Sequence, residues 1–139
     1  MRAPYQTLVM SAVLLATACG GAPAAATPTA TVTATLTDTA IRLDQPSVPQ
    51  GTVTFKAMNT GSVLHTLILL KTDVAADKIP ADPKDASRVD TAGELRDTTQ
   101  IPVGGSKEFS VKLSAGSYVL ICNEPGHYLI GMHVPFTVK

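Results

Sequence analysis

Residues 118–139 read YVLICNEPGHYLIGMHVPFTVK, an apolar strand pattern followed by a turn and a second strand pattern. One cysteine, one histidine and one methionine fall in it at five-residue intervals: Cys122, His127 and Met132. Pro125 and Gly126 form a turn signal directly after the apolar run, which can bring His127 back beside the Cys122 sulfur. The stretch therefore predicts a loop between two neighbouring strands that presents a thiol, an imidazole and a thioether together.

This set of donor atoms favours copper over zinc. Soft sulfur ligands hold Cu(I), and imidazole accepts Cu(II). Structural zinc sites use Cys and His without Met. Blue-copper sites combine two His and one Cys with a weak axial Met, so a second histidine is needed. His133 follows Met132 and would point to the opposite face of an extended segment. His65, in NTGSVLHTLIL, is the better candidate, although a lone histidine there is more often a core or rim residue.

The rest of the chain from about residue 35 has β texture. Alternating or apolar runs occur at 52–59, 63–70, 107–113, 117–122 and 134–138, and 33–44 also alternates. Gly-rich turn signals separate them at 49–51, 59–62, 102–106 and 114–117. Short strands of this kind over about a hundred residues predict an all-β antiparallel sandwich or barrel.

Three stretches resemble the cupredoxins, the small blue copper proteins: TGSVLHTLILL (60–70), AGSYVLICNEPGHYLIGMHVPFTV (115–138) and AIRLDQPSVPQGTVTFKAMNTG (40–61). The Cys–His–Met loop is similar to those of auracyanins and phytocyanins, and the resemblance covers about 35–139. It implies a Greek-key β-sandwich with one copper ion bound by His65, Cys122, His127 and Met132. Many cupredoxins have Asn where Thr66 follows the first histidine, which implies a weaker link between the ligand loops here.

Such a site predicts a carrier of single electrons between a redox donor and a redox acceptor, and not an enzyme, because no substrate pocket is indicated. A backbone N–H near Cys122, such as that of Asn123, is expected to donate to the sulfur. An apolar electron-transfer surface is expected at Pro125, Tyr128 and Leu129. One alternative is a copper-binding or delivery protein without redox work. Another is a metal-free Ig-like adhesion module in which Cys122 is merely buried.

The first residues indicate export. Residues 1–18 resemble a signal peptide, and LLATAC places small residues before Cys19, as in bacterial lipoproteins. We expect Cys19 to carry lipid and to anchor the protein to a membrane, in the periplasm or another extracytoplasmic space. An ordinary secretory signal cut near Ala18 is the alternative. Residues 19–34 are uncharged and rich in Ala, Thr and Pro, which predicts a linker to a copper domain at 35–139.

Residues 71–100 interrupt the β pattern and hold seven of the eleven acidic residues. Two prolines and the stretch DASRVDTAGELR predict an irregular or partly helical excursion, interpreted as a solvated surface or, alternatively, a docking patch. The formal net charge is zero and Trp is absent, which argues against nucleic acid as a partner. The domain is expected to be monomeric.

Overall fold

The computed structural model describes residues 29–139, and within that range all regular structure is β. The strands are β1 Thr29–Thr37, β2 Ala40–Leu43, β3 Ser47–Val48, β4 Gly51–Asn59, β5 Ile68–Lys71, β6 Ala81–Asp82, β7 Asp85–Val89, β8 Glu94–Asp97, β9 Ser106–Leu113, β10 Gly116–Ile121 and β11 His133–Val138. The predicted all-β class is therefore confirmed.

Two sheets form the sandwich. One has the order β2-β1-β4-β9, in which β1 and β4 are parallel and the other neighbours are antiparallel. The other has the order β3-β11-β10-β5-β8, in which only the short β3–β11 pair is parallel. Strands that are distant in sequence are neighbours in both sheets, as in the Greek-key sandwich that the sequence predicts.

The main core lies between these sheets and follows the two-residue period of the strands. In β4, Val53, Phe55 and Ala57 are fully buried, while the residues between them face outward. Phe55 packs against Phe109 and Phe136, with ring centroids 5.4 and 5.2 Å apart. Clustered aromatic rings of this kind supply much of the apolar area that a small core can bury.

A second, smaller core explains why β10 is apolar without alternation. Leu120 faces the main core, while Val119 and Ile121 face outward and are buried too. Ile79 and Val89, which come from the segment 71–100, cover them. The expectation of a solvated surface excursion is therefore wrong for this part of the segment. Its apolar residues are few, but they close the outer face of the sheet.

The expected helical structure in DASRVDTAGELR is also wrong. Asp85–Val89 and Glu94–Asp97 are strands, and β8 extends the second sheet beside β5. The apolar residues of this stretch recur at every third position, which a helix would also allow, so pairing with neighbouring strands overrides the local pattern.

Strand structure begins before residue 35, the predicted start of the copper domain. Strand β1 starts at Thr29, and Val32 and Ala34, placed in the predicted linker, are fully buried. Parallel pairing with β4 supports this Ala- and Thr-rich segment, whose composition alone does not indicate a strand. The predicted signal peptide, Cys19 and the beginning of the linker lie outside the described residues.

Within residues 29–139, no helix has the length and apolar character needed to cross a bilayer.

Candidate metal centre

The predicted ligands meet because three strand ends lie at one edge of the second sheet. Ile121, the last residue of β10, pairs with Ile68 at the start of β5 and with His133 at the start of β11. Antiparallel pairing therefore brings Cys122 and the residues just before β5 and β11 to the same place. His65 lies there outside any strand, joined by an isolated β-bridge to Ile101. The strand predicted at 63–70 is thus shorter than expected.

Three donor atoms form a compact triangle at this edge. Nδ1 of His65 lies 3.1 Å from Nδ1 of His127, and the Cys122 sulfur lies 3.8 and 3.5 Å from these two nitrogens. These three residues are a group with metal-ligand character among the described residues. A neutral imidazole nitrogen either donates or accepts, so at most two of these three contacts can be hydrogen bonds at one time.

The triangle has the dimensions of a metal site. A point equidistant from three atoms with these separations lies about 2.0 Å from each, close to a metal–nitrogen bond such as Zn–N. Two imidazole nitrogens and one sulfur are the trigonal set found in blue-copper sites. The donor geometry therefore fits a single first-row metal ion.

His65 has no exposed surface. Burial lowers the pKa of His65, and the nearby carboxylate of Asp38 opposes this effect. The neutral ring, which can offer Nδ1 to a metal, is thereby favoured. Asp38 lies 3.4 Å from Nε2, the nitrogen on the far side of the ring from the cluster. Sequence reasoning did not identify Asp38, because TATLTDTAIRLD was interpreted as one alternating segment and not as a hairpin.

Cys122 is also fully buried. Burial raises the pKa of the Cys122 thiol, and backbone N–H groups of Thr66 and Glu124 act in the opposite direction. The backbone N–H of Thr66 donates to the sulfur at 3.4 Å. Asn123, expected to be the donor, instead directs its N–H toward the Thr66 hydroxyl, also at 3.4 Å. The first-histidine loop therefore supplies a hydrogen bond to the sulfur.

Thr66 links the two ligand loops through its side chain as well as its backbone. Its hydroxyl oxygen lies 3.8 Å from the Cys122 sulfur and accepts the Asn123 N–H. Both separations are longer than those of ordinary hydrogen bonds. Thr66, at the position where many cupredoxins have Asn, therefore links the two ligand loops, but through long contacts.

Met132 is fully buried in the main core beside the ligand loop. Its carbonyl accepts the backbone N–H of Cys122 at 3.0 Å, and its own N–H donates to the carbonyl of His127 at 3.1 Å. Gly126, with a φ of 80°, permits the turn between Cys122 and His127. Backbone hydrogen bonds thus hold Met132 next to Cys122 and His127.

The segment 71–100 forms hydrogen bonds with the ligand loop. The Asn123 side chain accepts from the N–H of Val89 and donates to its carbonyl, at 2.9 and 3.0 Å. Arg88 donates to the carbonyl of Asn123, and the N–H of Gly126 donates to the carbonyl of Ser87 at 2.7 Å. These contacts were not foreseen, because neither Arg88 nor Asn123 has a motif that indicates pairing between distant segments.

Of the three residues expected at an apolar surface, Pro125 and Leu129 are exposed and Tyr128 is buried. Leu129 is 65% exposed, whereas Tyr128 is only 6% exposed. The Tyr128 hydroxyl accepts the N–H of Ile79 and donates to the carbonyl of Ala76, so the ring points into the second core. Segment 76–79 provides these partners, and the local sequence gives no sign of them.

Five exposed apolar side chains lie in the loops that carry the cluster or, through the Ile101 bridge, pair with it, and we call them the apolar rim. They are Val63, Leu64, Val103, Leu129 and Ile130. His127 is half-buried and is the member of the cluster that is partly exposed.

No protein-family model and no curated protein matches the chain. Solved structures do match it. A structure of auracyanin B is 26% identical, with a TM-score of 0.59, and the match covers 79% of this chain and 88% of that one. Reduced auracyanin from the photosynthetic bacterium Roseiflexus castenholzii is 25% identical, with a TM-score of 0.57 and coverage of 80% and 96%.

Rusticyanin from Thiobacillus ferrooxidans shares the fold at 21% identity, with a TM-score of 0.64 and coverage of 80% of this chain and 77% of that one. All three matches extend over most of the described residues. The part of the chain that the structure describes is therefore a cupredoxin-fold domain, which confirms the resemblance found in the sequence.

Proposed function

We propose that this domain binds one copper ion in a type 1 site and carries single electrons between redox proteins. The observation that carries the proposal is the triangle formed by the Nδ1 atoms of His65 and His127 and the sulfur of Cys122. Met132, buried in the same loop region, would hold the copper as a fourth, weaker ligand. Rusticyanin is itself described as a copper protein.

The bound copper would supply one-electron chemistry by alternating between Cu(I) and Cu(II). The contribution of this chain is to keep the donor atoms in place in both states, so that little rearrangement opposes electron transfer. His65 and Cys122 are fully buried, and the Thr66 N–H stabilises negative charge on the sulfur. The apolar rim excludes water beside His127, and its exposed side chains suit brief contact with a partner.

The burial of the cluster favours a carrier over a copper-delivery protein. His65 and Cys122 have no exposed surface, and His127 alone of the three reaches partway to it. An ion handed to another protein must exchange ligands with it, which requires access to the donor atoms. An electron needs only close approach, which a half-buried ligand near the surface provides.

Export and membrane anchoring remain predictions. The proposed lipid-bearing residue, Cys19, lies outside the described residues, and the extracytoplasmic location is proposed from the signal-like sequence alone.

Copper titration of the purified soluble domain tests the function. We expect one copper per chain and an intense blue Cu(II) colour, which Cys122→Ser abolishes because the thiolate is its source. Metal analysis and the visible spectrum measure both. Less than half a copper per chain at saturation, or a colourless Cu(II) complex, contradicts the proposal. A colourless Cu(I) form that exchanges rapidly supports delivery instead.

A further inference from the structure

Asp38, in the turn between β1 and β2, faces the side of His65 that points away from the cluster. Its Oδ1 lies 3.4 Å from Nε2 of His65. This nitrogen is buried and has no hydrogen-bond partner among residues 29–139. A buried ring nitrogen without a partner is costly, and Asp38 offers an oppositely charged acceptor next to it.

The loop that carries His65 also holds this carboxylate. The backbone N–H of Ser62 donates to Oδ1 of Asp38, and the Ser62 hydroxyl donates to Oδ2, both at 2.7 Å. Both carboxylate oxygens are therefore fixed by a residue three positions before His65. The arrangement is specific, because an unconstrained turn carboxylate would extend into water.

Gly61 makes the approach of Asp38 to His65 possible. A Cβ atom at this position would lie 2.2 Å from Oδ1 of Asp38 and 2.7 Å from Nε2 of His65. Both distances are too short for real contacts, so any side chain here would push the carboxylate and the ring apart. Glycine at residue 61 is thus required by the same contact.

We propose that Asp38 is a positioning residue for the metal centre, which accepts a hydrogen bond from Nε2–H of His65 and keeps Nδ1 free to bind the metal. This inference rests on the proposed copper site. Carboxylates behind ligating histidines fix the tautomer and orientation of the ring and increase its basicity. The negative charge also stabilises the oxidised ion more than the reduced one, since the oxidised ion is the more positive.

The tautomer can be measured in the metal-free protein, independently of copper. Long-range proton–nitrogen NMR correlations distinguish the two ring nitrogens of His65. We expect the Nε2–H form to predominate in the wild type and its share to fall by at least half in Asp38→Ala. Gly61→Ala, which leaves the carboxylate in the chain but displaces it, should lower this share in the same direction. An unchanged tautomer in Asp38→Ala overturns the proposal.

The reduction potential of the copper-loaded protein provides the second readout. Asp38→Asn keeps the shape and removes the charge. Outer-shell changes typically cost 10–100-fold in metal affinity, and the 44% exposure of Asp38 places it at the lower end. We expect Cu(II) affinity to fall about tenfold relative to Cu(I), which raises a one-electron potential by about 59 mV.

Asp44→Asn is the matched control. It removes one carboxylate from the other end of the same hairpin, where Asp44 accepts the N–H of Thr33 at 2.8 Å. We expect it to leave the potential unchanged. Equal potentials for the Asp38→Asn and wild-type proteins, or equal shifts in the two variants, overturn the inference. If no variant or wild-type protein turns blue with copper, the proposed function itself has failed.

Discussion

At the scale of single residues, the burial of Cys122 opposes the charge that its thiolate must carry to bind a metal. Cys122 is fully buried, which disfavours the charged thiolate that a metal requires. The Thr66 N–H compensates in part, because it donates to the sulfur. The remaining stabilisation has to come from the metal, and copper binding must therefore release the thiol proton.

Met132 is either a weak metal ligand or a core residue, and a substitution can distinguish the two roles. Met132→Leu nearly preserves the volume of this fully buried side chain, so the stability should fall by less than about 1.5 kcal/mol. The backbone bonds of Met132 to Cys122 and His127 are kept. We expect a protein that stays blue and has a raised reduction potential, because a donor to Cu(II) has been removed. Cyclic voltammetry measures the potential.

Met58→Leu is the control for this change, because Met58 lies on β4 with 43% of its surface exposed. It should leave the potential unchanged. An unaltered potential in Met132→Leu would assign Met132 to core packing and not to the metal.

At the scale of elements, the sequence pattern predicts features that depend on neighbouring residues, but not contacts between distant segments. Alternation in β4 and the Cys–His–Met spacing were readable from the sequence, because each depends on neighbours within a few residues. The role of the segment 71–100 was not readable. Ile79 and Val89 are isolated apolar residues there, and only the paired strands of the second sheet reveal the face that they cover. Asp38 was missed similarly, since its partner His65 is distant in sequence.

The support given by this segment can be tested at Tyr128. Tyr128→Phe removes the hydroxyl that bonds to Ile79 and Ala76 and leaves the buried Ile79 N–H without a partner. We expect a loss of about 1–3 kcal/mol in the free energy of unfolding, measured by urea denaturation. Copper should also dissociate faster into a chelator, because the ligand loop loses its outer support.

Tyr118→Phe separates the two effects. The Tyr118 hydroxyl donates to the carbonyl of Ser114, in the turn before β10 and so at the end of this strand away from Cys122. This variant should lose about 0.5–1.5 kcal/mol of stability and keep the wild-type rate of copper release. If both variants release copper at the same rate, the segment 71–100 stabilises the fold without restraining the site.

For the whole molecule, charge and apolar surface are distributed unevenly. The formal net charge is zero, yet seven of the eleven acidic residues lie between Asp73 and Asp97. The apolar rim adjoins the cluster in the loops before His65 and after His127. A neutral molecule with a local apolar surface experiences little long-range repulsion from its own copies. Contact through the rim would be brief, which suits repeated electron exchange.

Leu129→Lys tests whether the electron leaves through this rim. Leu129 is 65% exposed, so the change should not disturb the core, the copper content or the blue spectrum. A charge at the contact must be desolvated on docking and repels its counterpart on a second copy. We therefore expect electron self-exchange, measured by NMR line broadening in mixed redox states, to slow by at least tenfold at low salt. Ser117→Lys is the matched control, since Ser117 is exposed at the start of β10, the end of that strand away from Cys122. Equal exchange rates for Leu129→Lys and wild type would exclude the rim and make the acidic residues between Asp73 and Asp97 the next docking surface to test.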